Sequence, residues 1–450
     1  MLLAACGGSG DPGPAVPYPD NPPKVEIPPA LVTVGGTLSG LRAGQQIVLR
    51  KNGADLVTIT GNGSFQFPVS IPYQSAYNVT LDTVPANLTC TLSNASGSRA
   101  LANVTNVGVS CTAVVAESWV YIPDAGNDQI LGYSIDRTTG TRTDLPGSPY
   151  PAGDNNRWIA MNPAKTFVYT TNGGSHNVSA YTVNASTGEL TPVAGSPYAT
   201  GSTPWSIEVS PDGRFAYVAN SNDASVSGYS IHQTTGALTP MPGSPFAAGF
   251  TPSKIAITPD SRHLYVINHN GYTVTGFGID ATTGALVPLA GSPWSTTGHG
   301  QGVAVHPSGD FLYVANFQAS LNVYRINPAD GALTDLVSGG QTTAASSWEW
   351  LSVTTNGTGT VGYVATSQGI RQFDIDTASG ALSEQAAQPN NVRTQYVTTN
   401  RAGTRLYSSD IHTTTVHIAD IAAGTGSLTA LPNSPYTVGA EAHNLVVIEP

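Results

Sequence analysis

Seven residues recur one to a repeat, at the start of the same short strand: Arg157, Trp205, Ser253, Gln301, Glu349, Thr394 and His443. Beside them stand Lys254, His299, Trp348, Trp350, Arg393 and Glu441. This mixture has the parts for hydrolysis at a carbonyl carbon. His443 or Glu349 can take a proton from water, and Arg157, Arg393 or Lys254 can hold the oxyanion that results. The same set has a second reading, in which Trp205, Trp348 and Trp350 stack on a ligand that is bound and left unchanged. A third, structural reading has these side chains stack and pair among themselves, with Glu441 against Arg157 or Arg393. Glu208 stands alone in a strand position otherwise filled by Ala160, Ala256, Ala304, Ser352, Val397 and Val446. It either lines a shared channel or pairs with Lys254 on the next repeat.

What must position these residues is a repeat that begins at Glu117. Tyrosines close an apolar triplet at Tyr121, Tyr169, Tyr217, Tyr265, Tyr313, Tyr363 and Tyr407, spaced by 48 residues four times and then by 50 and 44. A turn glycine keeps step at Gly140, Gly188, Gly236, Gly284, Gly331, Gly380 and Gly426. Gly-Ser-Pro or Asn-Ser-Pro follows it in all but the fifth and sixth copies. The third copy reads as four strands, Trp205–Ser210, Arg214–Ala219, Ser225–Ile231 and Ala237–Met241, joined by turn-forming Asp-Gly and Thr-Gly pairs. A four-stranded sheet cannot bury both faces alone, so seven copies pack side by side, and radial stacking makes a propeller.

The ends of the repeat region support closure. The first copy starts at its second strand, Trp119-Val120-Tyr121, and the missing first strand is supplied by the pattern at 443–448. A clasp of that kind leaves no exposed sheet edge. Antiparallel order then gives the ring two faces. Turns such as Pro211–Gly213 and Thr235-Gly236 are short and share one face, while the longer connections share the other, where loops on a rigid scaffold carry binding groups.

Tyr-Val-Ala-Asn at 217–220 and 313–316, Ser-Pro-Asp-Gly-Arg-Phe at 210–215 and the Thr-Gly-Ala-Leu turns resemble the lactonase family of seven-bladed propellers. The family includes the propeller type of 6-phosphogluconolactonase, and the resemblance spans about 117–450. It implies hydrolysis of a lactone or related ester at the channel mouth, with His443, Glu349, Arg157 and Arg393 as catalytic groups. Trp205, Lys254, His299, Gln301, Trp348, Trp350, Glu208 and Glu441 would contact the ligand. No metal or cofactor is expected. Family members resembling the phosphogluconolactonase carry Pro-His and Gly-Pro-Arg-His ahead of the inner strands. Here Asn155-Asn156-Arg157, Thr203-Pro204-Trp205, Thr251-Pro252-Ser253 and His299-Gly300-Gln301 stand there instead, so the phosphosugar substrate does not carry over. The alternative is a non-catalytic surface lipoprotein that binds glycan, peptide or protein through the long-loop face.

Ahead of the repeats, residues 30–116 alternate apolar and polar in seven short runs with turns between them, the pattern of an immunoglobulin-like β-sandwich. The fold expected is therefore all-β, a small sandwich followed by a propeller over 117–450. Cys90 and Cys111 lie in that sandwich and read as a disulfide of an oxidising compartment. Leu3-Ala4-Ala5-Cys6 resembles the lipobox of bacterial lipoproteins, in which Cys6 takes the lipid. Residues 7–29 hold eight prolines, all between Asp11 and Pro29, and would form an extended tether. A lipid-anchored place in the cell envelope follows, at the outer membrane and facing the periplasm or the exterior, with no other membrane contact.

Composition narrows the function classes. Lys plus Arg number 17 against 28 Asp plus Glu, a formal charge of -11, which argues against a nucleic-acid footprint. Only 10% of residues are charged, against roughly 25% in an average chain, yet 40% are hydrophobic, too rich for a disordered polymer. There is no Gly-x-Ser-x-Gly elbow, no His-Glu-x-x-His helix and no EF-hand loop. Gly357 to Gly362 fits Gly-x-Gly-x-x-Gly, but it falls between two strands of one repeat and reads as a turn.

Overall fold

Turn signals every ten or so residues leave room only for short extended runs, and the described residues form strands and turns without a helix. The computed structural model describes residues 31–41, 45–85, 88–113, 117–136, 139–317, 320–337, 341–342, 350–367, 369–385, 394–400, 402–410, 414–438 and 443–449, and at 113, 117, 341, 342, 350 and 351 the backbone alone. Cys6 and the proline-rich stretch lie outside them. Two compact units result, Met1–Val115 and Ala116–Pro450.

The first unit is a two-sheet sandwich. One sheet runs in the order Gly63–Gln66, Val34–Ser39, Val104–Ala113, Leu88–Ser93, and the other Asp55–Ile59, Ile47–Lys51, Tyr77–Thr83, Ser96–Gly97. Alternation decides which side chains are inside. In Ile47–Lys51 every second residue is buried, and Ile47 and Leu49 join Val34, Val79 and Val107 in one core. Val34–Ser39 pairs with Val104–Ala113 in parallel. Gly36 allows this pairing, because a Cβ there would lie 1.7 Å from the Val107 carbonyl oxygen. Cys90 and Cys111 face each other across antiparallel strands and form a disulfide.

The second unit consists of seven antiparallel sheets, and their innermost strands pack against one another around an axis. In the order of blades 1 to 7 those strands are Val446–Ile448, Asn156–Met161, Pro204–Val209, Pro252–Ile257, Gly300–Val305, Trp350–Thr355 and Tyr396–Thr399. The C-terminal strand lies beside Glu117–Asp124 and completes blade 1. The outer strand of most blades differs from the sequence reading. It is interrupted and then resumes, as Leu238–Pro240 followed by Phe246–Ala247, both paired with Ser225–Ile231. The interruption is the Gly-Ser-Pro motif, whose serine accepts the N–H that the gap leaves unpaired. Gly132, Ala180, Gly228, Gly276 and Ile418 donate to Ser148, Ser196, Ser244, Ser292 and Ser434 at 2.9–3.0 Å.

The repeated tyrosine and the repeated glycine are two halves of one contact between blades. Tyr121, Tyr169, Tyr217, Tyr265 and Tyr363 are fully buried, and each donates its hydroxyl to the turn glycine of the next blade. The acceptors are the carbonyls of Gly188, Gly236, Gly284, Gly331 and Gly426, at 2.6–3.0 Å. Tyr313 is buried alike but its hydroxyl has no partner. At the closure Tyr407 donates instead to the Glu449 carboxylate at 2.9 Å, with the Ser118 hydroxyl 3.2 Å away.

Candidate functional site

The inner strands present their side chains to the channel in rows. Counting from the buried tyrosines, one row holds Val446, Ala160, Glu208, Ala256, Ala304, Thr354 and Thr398. Two residues earlier along each strand, a second row holds Asn444, Trp158, Ser206, Lys254, Gly302, Ser352 and Tyr396. One step further toward the long loops, a β-bulge interrupts the pairing in blades 2 to 6. Arg157, Trp205, Ser253 and Gln301 are the extra residues of four of these bulges, and His443 is level with them. Bulges re-aim side chains and often stand beside functional sites.

This register corrects the sequence reading in two blades. Thr354 and Thr398, not Ser352 and Val397, share the row of Glu208. Leu351 and Gln395, not Glu349 and Thr394, are level with Arg157. The spacings of 50 and 44 residues change length in the connections ahead of the inner strands, whereas each strand keeps its register to its own tyrosine.

Three basic side chains lie toward the long-loop mouth. The Arg157 guanidinium lies 4.6 Å from the centre of the Trp205 ring, and its Nε donates to Asn155 at 2.8 Å. Lys254 Nζ lies 3.1 Å from the centre of the Trp158 ring. His443 is near enough to feel the charge of both. Its imidazole is pushed down to about 4, first by burial and then by the positive charges of Lys254 and Arg157. Asn444 fixes that placement, accepting from the Ile159 N–H at 3.0 Å and donating to the Ile159 carbonyl at 2.9 Å on blade 2.

Below the mouth two aromatic rings line the channel. The Trp158 and Tyr396 rings meet edge to face at 5.2 Å, and Lys254 reaches over Trp158 from blade 4. Beneath them lies a cavity of about 990 Å³ extending to the tight turns at Pro163, Pro211, Pro259 and Ala402. Trp158, Tyr396 and Lys254 are among its walls, whereas Arg157, Trp205 and His443 are not. Glu208 faces this cavity and makes no ion pair with Lys254, which decides between its two sequence readings. Burial pushes the Glu208 carboxyl up to about 8 and lowers the Lys254 amine well below its usual range.

The other expected residues divide. Gln301 walls the cavity. His299 belongs to a separate cluster between blades 4 and 5, where its Nε2 accepts from Tyr272 at 2.7 Å and its ring lies 4.8 Å from that of His269. Trp348, Glu349, Arg393 and Glu441 lie outside the described residues, as does the Trp350 side chain, although the Trp350 backbone opens the inner strand of blade 6. Trp158, Tyr396 and Asn444 were not singled out in the sequence. The available signal for Trp158 was its place beside Arg157 in the position that Lys254 fills two blades on. Among the described residues no three His, Cys, Asp or Glu side chains gather as they would around a metal ion.

Residues 111–297 match the sequence model of a family described as lactonase, 7-bladed beta-propeller. No curated protein sequence matches the chain. Among solved structures, a candidate 6-phosphogluconolactonase from Bacteroides fragilis is 18% identical, with 74% of this chain and 98% of that one covered at a TM-score of 0.63. A second, from Bacteroides uniformis, is 16% identical over 74% and 100%, with a TM-score of 0.64. The periplasmic gluconolactonase of Pseudomonas aeruginosa is 15% identical over 74% and 100%, at 0.60. Identities this low speak for the fold alone. The seven sheets and the C-terminal clasp make the second unit a seven-bladed β-propeller, and its matched residues are similar to the lactonase family.

Proposed function

We propose that the long-loop mouth hydrolyses a lactone or closely related ester. The observation that carries this reading is that His443 of blade 1 feels the charges of Lys254 and Arg157 from blades 4 and 2, with Arg157 stacked on Trp205. With its imidazole held down to about 4, His443 is neutral near pH 7 and accepts a proton from water. The water oxygen bonds to the ring carbonyl carbon, and the carbonyl electrons move onto oxygen, where the Arg157 guanidinium pairs with the oxyanion. Collapse breaks the ring C–O bond, and the departing alkoxide takes the proton back from His443. The product is an open-chain hydroxy acid, and its carboxylate suits the same cations. The disulfide Cys90–Cys111 supports an oxidising compartment, so the substrate class would be extracytoplasmic.

A panel of sugar and aliphatic lactones, followed by acid release, tests this reading. Turnover of at least one member is expected, falling by about 10²–10⁴-fold in His443→Ala. Turnover unchanged in that variant would place the site elsewhere. No turnover on any lactone, with saccharide binding that disappears in Trp205→Ala, would establish the non-catalytic binder instead.

A further inference from the structure

Glu208 has no structural task in the ring. It makes no hydrogen bond or ion pair with any described residue, and its row is filled by alanine in blades 2, 4 and 5. A half-buried carboxyl without a protein partner is costly, so a fold that needed only packing at this position would do better with the alanine its sister blades use. The cavity it faces has mixed walls, apolar at Ile159, Val209, Ile257, Val303 and Val353 and polar at Thr354, Thr398 and Asn400. The edge-to-face pair Trp158 and Tyr396 lines its end nearer the long loops. Negative charge on Glu208 opposes ionisation of the Tyr396 phenol, so the two groups are electrically close.

We propose that this cavity is a second ligand site, opposite the mouth, which takes a small organic ammonium with an apolar body and pairs its cation with Glu208. The apolar body would lie against the aliphatic walls, and the two aromatic rings suit a cation near Glu208. The charged or titratable groups around the site are Tyr396 and Lys254 toward the long loops and Lys165 and Glu449 toward the tight turns. Burial holds Lys254 toward its neutral form, and Lys165 donates to the backbone oxygen of Glu449. Without ligand, Glu208 is protonated at neutral pH, so an ammonium that pairs with the carboxylate must displace that proton.

Titration calorimetry of the full chain with benzylammonium chloride at about pH 6.5, in two buffers of different protonation enthalpy, tests the site. One saturable site is expected, with about one proton released per ligand and affinity rising about tenfold per pH unit below about pH 8. Affinity should fall at least tenfold in Glu208→Gln and in Glu208→Ala, the latter reproducing a residue that three sister blades already accept. Benzyl alcohol, of the same shape without the charge, should bind at least tenfold more weakly, and His443→Ala should bind benzylammonium as the unaltered protein does. The proposal is overturned if no saturable binding occurs, if Glu208→Gln binds equally well, if benzyl alcohol binds as tightly or if no proton is released. The site does not depend on lactone turnover, and the His443→Ala control keeps the two failures apart.

Discussion

The basicity of His443 is set by groups on other blades. Burial contributes most to its low pKa, followed by the charge of Lys254 and then that of Arg157. If the neutral imidazole is the base, kcat/KM rises as pH passes upward through about 4 and is level above it. Replacing Lys254 by Met removes one repelling cation, so the imidazole holds its proton to higher pH and the acid limb should move upward. A pH–rate profile of Lys254→Met against the unaltered protein checks this. An unmoved limb would mean that Lys254 and His443 do not interact. His443, Arg157 and Lys254 were legible in the sequence because the first four intervals are regular and the C-terminal strand copies their pattern. Tyr396 was not, because the interval of 44 residues shifted the alignment by one position and hid its place in the row of Trp158.

At the scale of the element, the tyrosine-to-glycine bond joins each blade to the next. Tyr217→Phe leaves the Gly284 carbonyl buried and unpaired, at a cost of about 1–3 kcal/mol. Tyr313→Phe deletes a hydroxyl that has no partner, and it should be neutral or stabilising. Urea denaturation of the two variants side by side measures the difference, and equal losses would show that the hydroxyl bond contributes nothing. Both partners were visible in the sequence as separate recurrences. That they bond, 67 residues apart in blades 1 to 3, depends on how one sheet packs against the next, which no local pattern encodes. The resumed outer strand was missed for a different reason. Two residues, as in Phe246–Ala247, are too few to show alternation, and Gly-Ser-Pro reads locally as a stop.

For the whole molecule, the ring depends on its last residues. Val446–Ile448 completes blade 1, Asn444 holds both polar groups of the Ile159 peptide edge, and the Glu449 carboxylate accepts from Tyr407 and Asn400 on blade 7. Asn444→Ala leaves the Ile159 N–H and C=O buried without partners, each worth about 1–3 kcal/mol. The urea midpoint of the propeller should fall accordingly, and lactone turnover should fall with it because His443 is the neighbouring residue. A variant that kept both would show that closure does not rest on this side chain. The Trp158–Tyr396 contact has its own consequence. One ring comes from blade 2 and the other from blade 7, so the pair spans the blade that the C-terminal strand completes, and a change to either ring acts on the seam of the wheel from inside its axle.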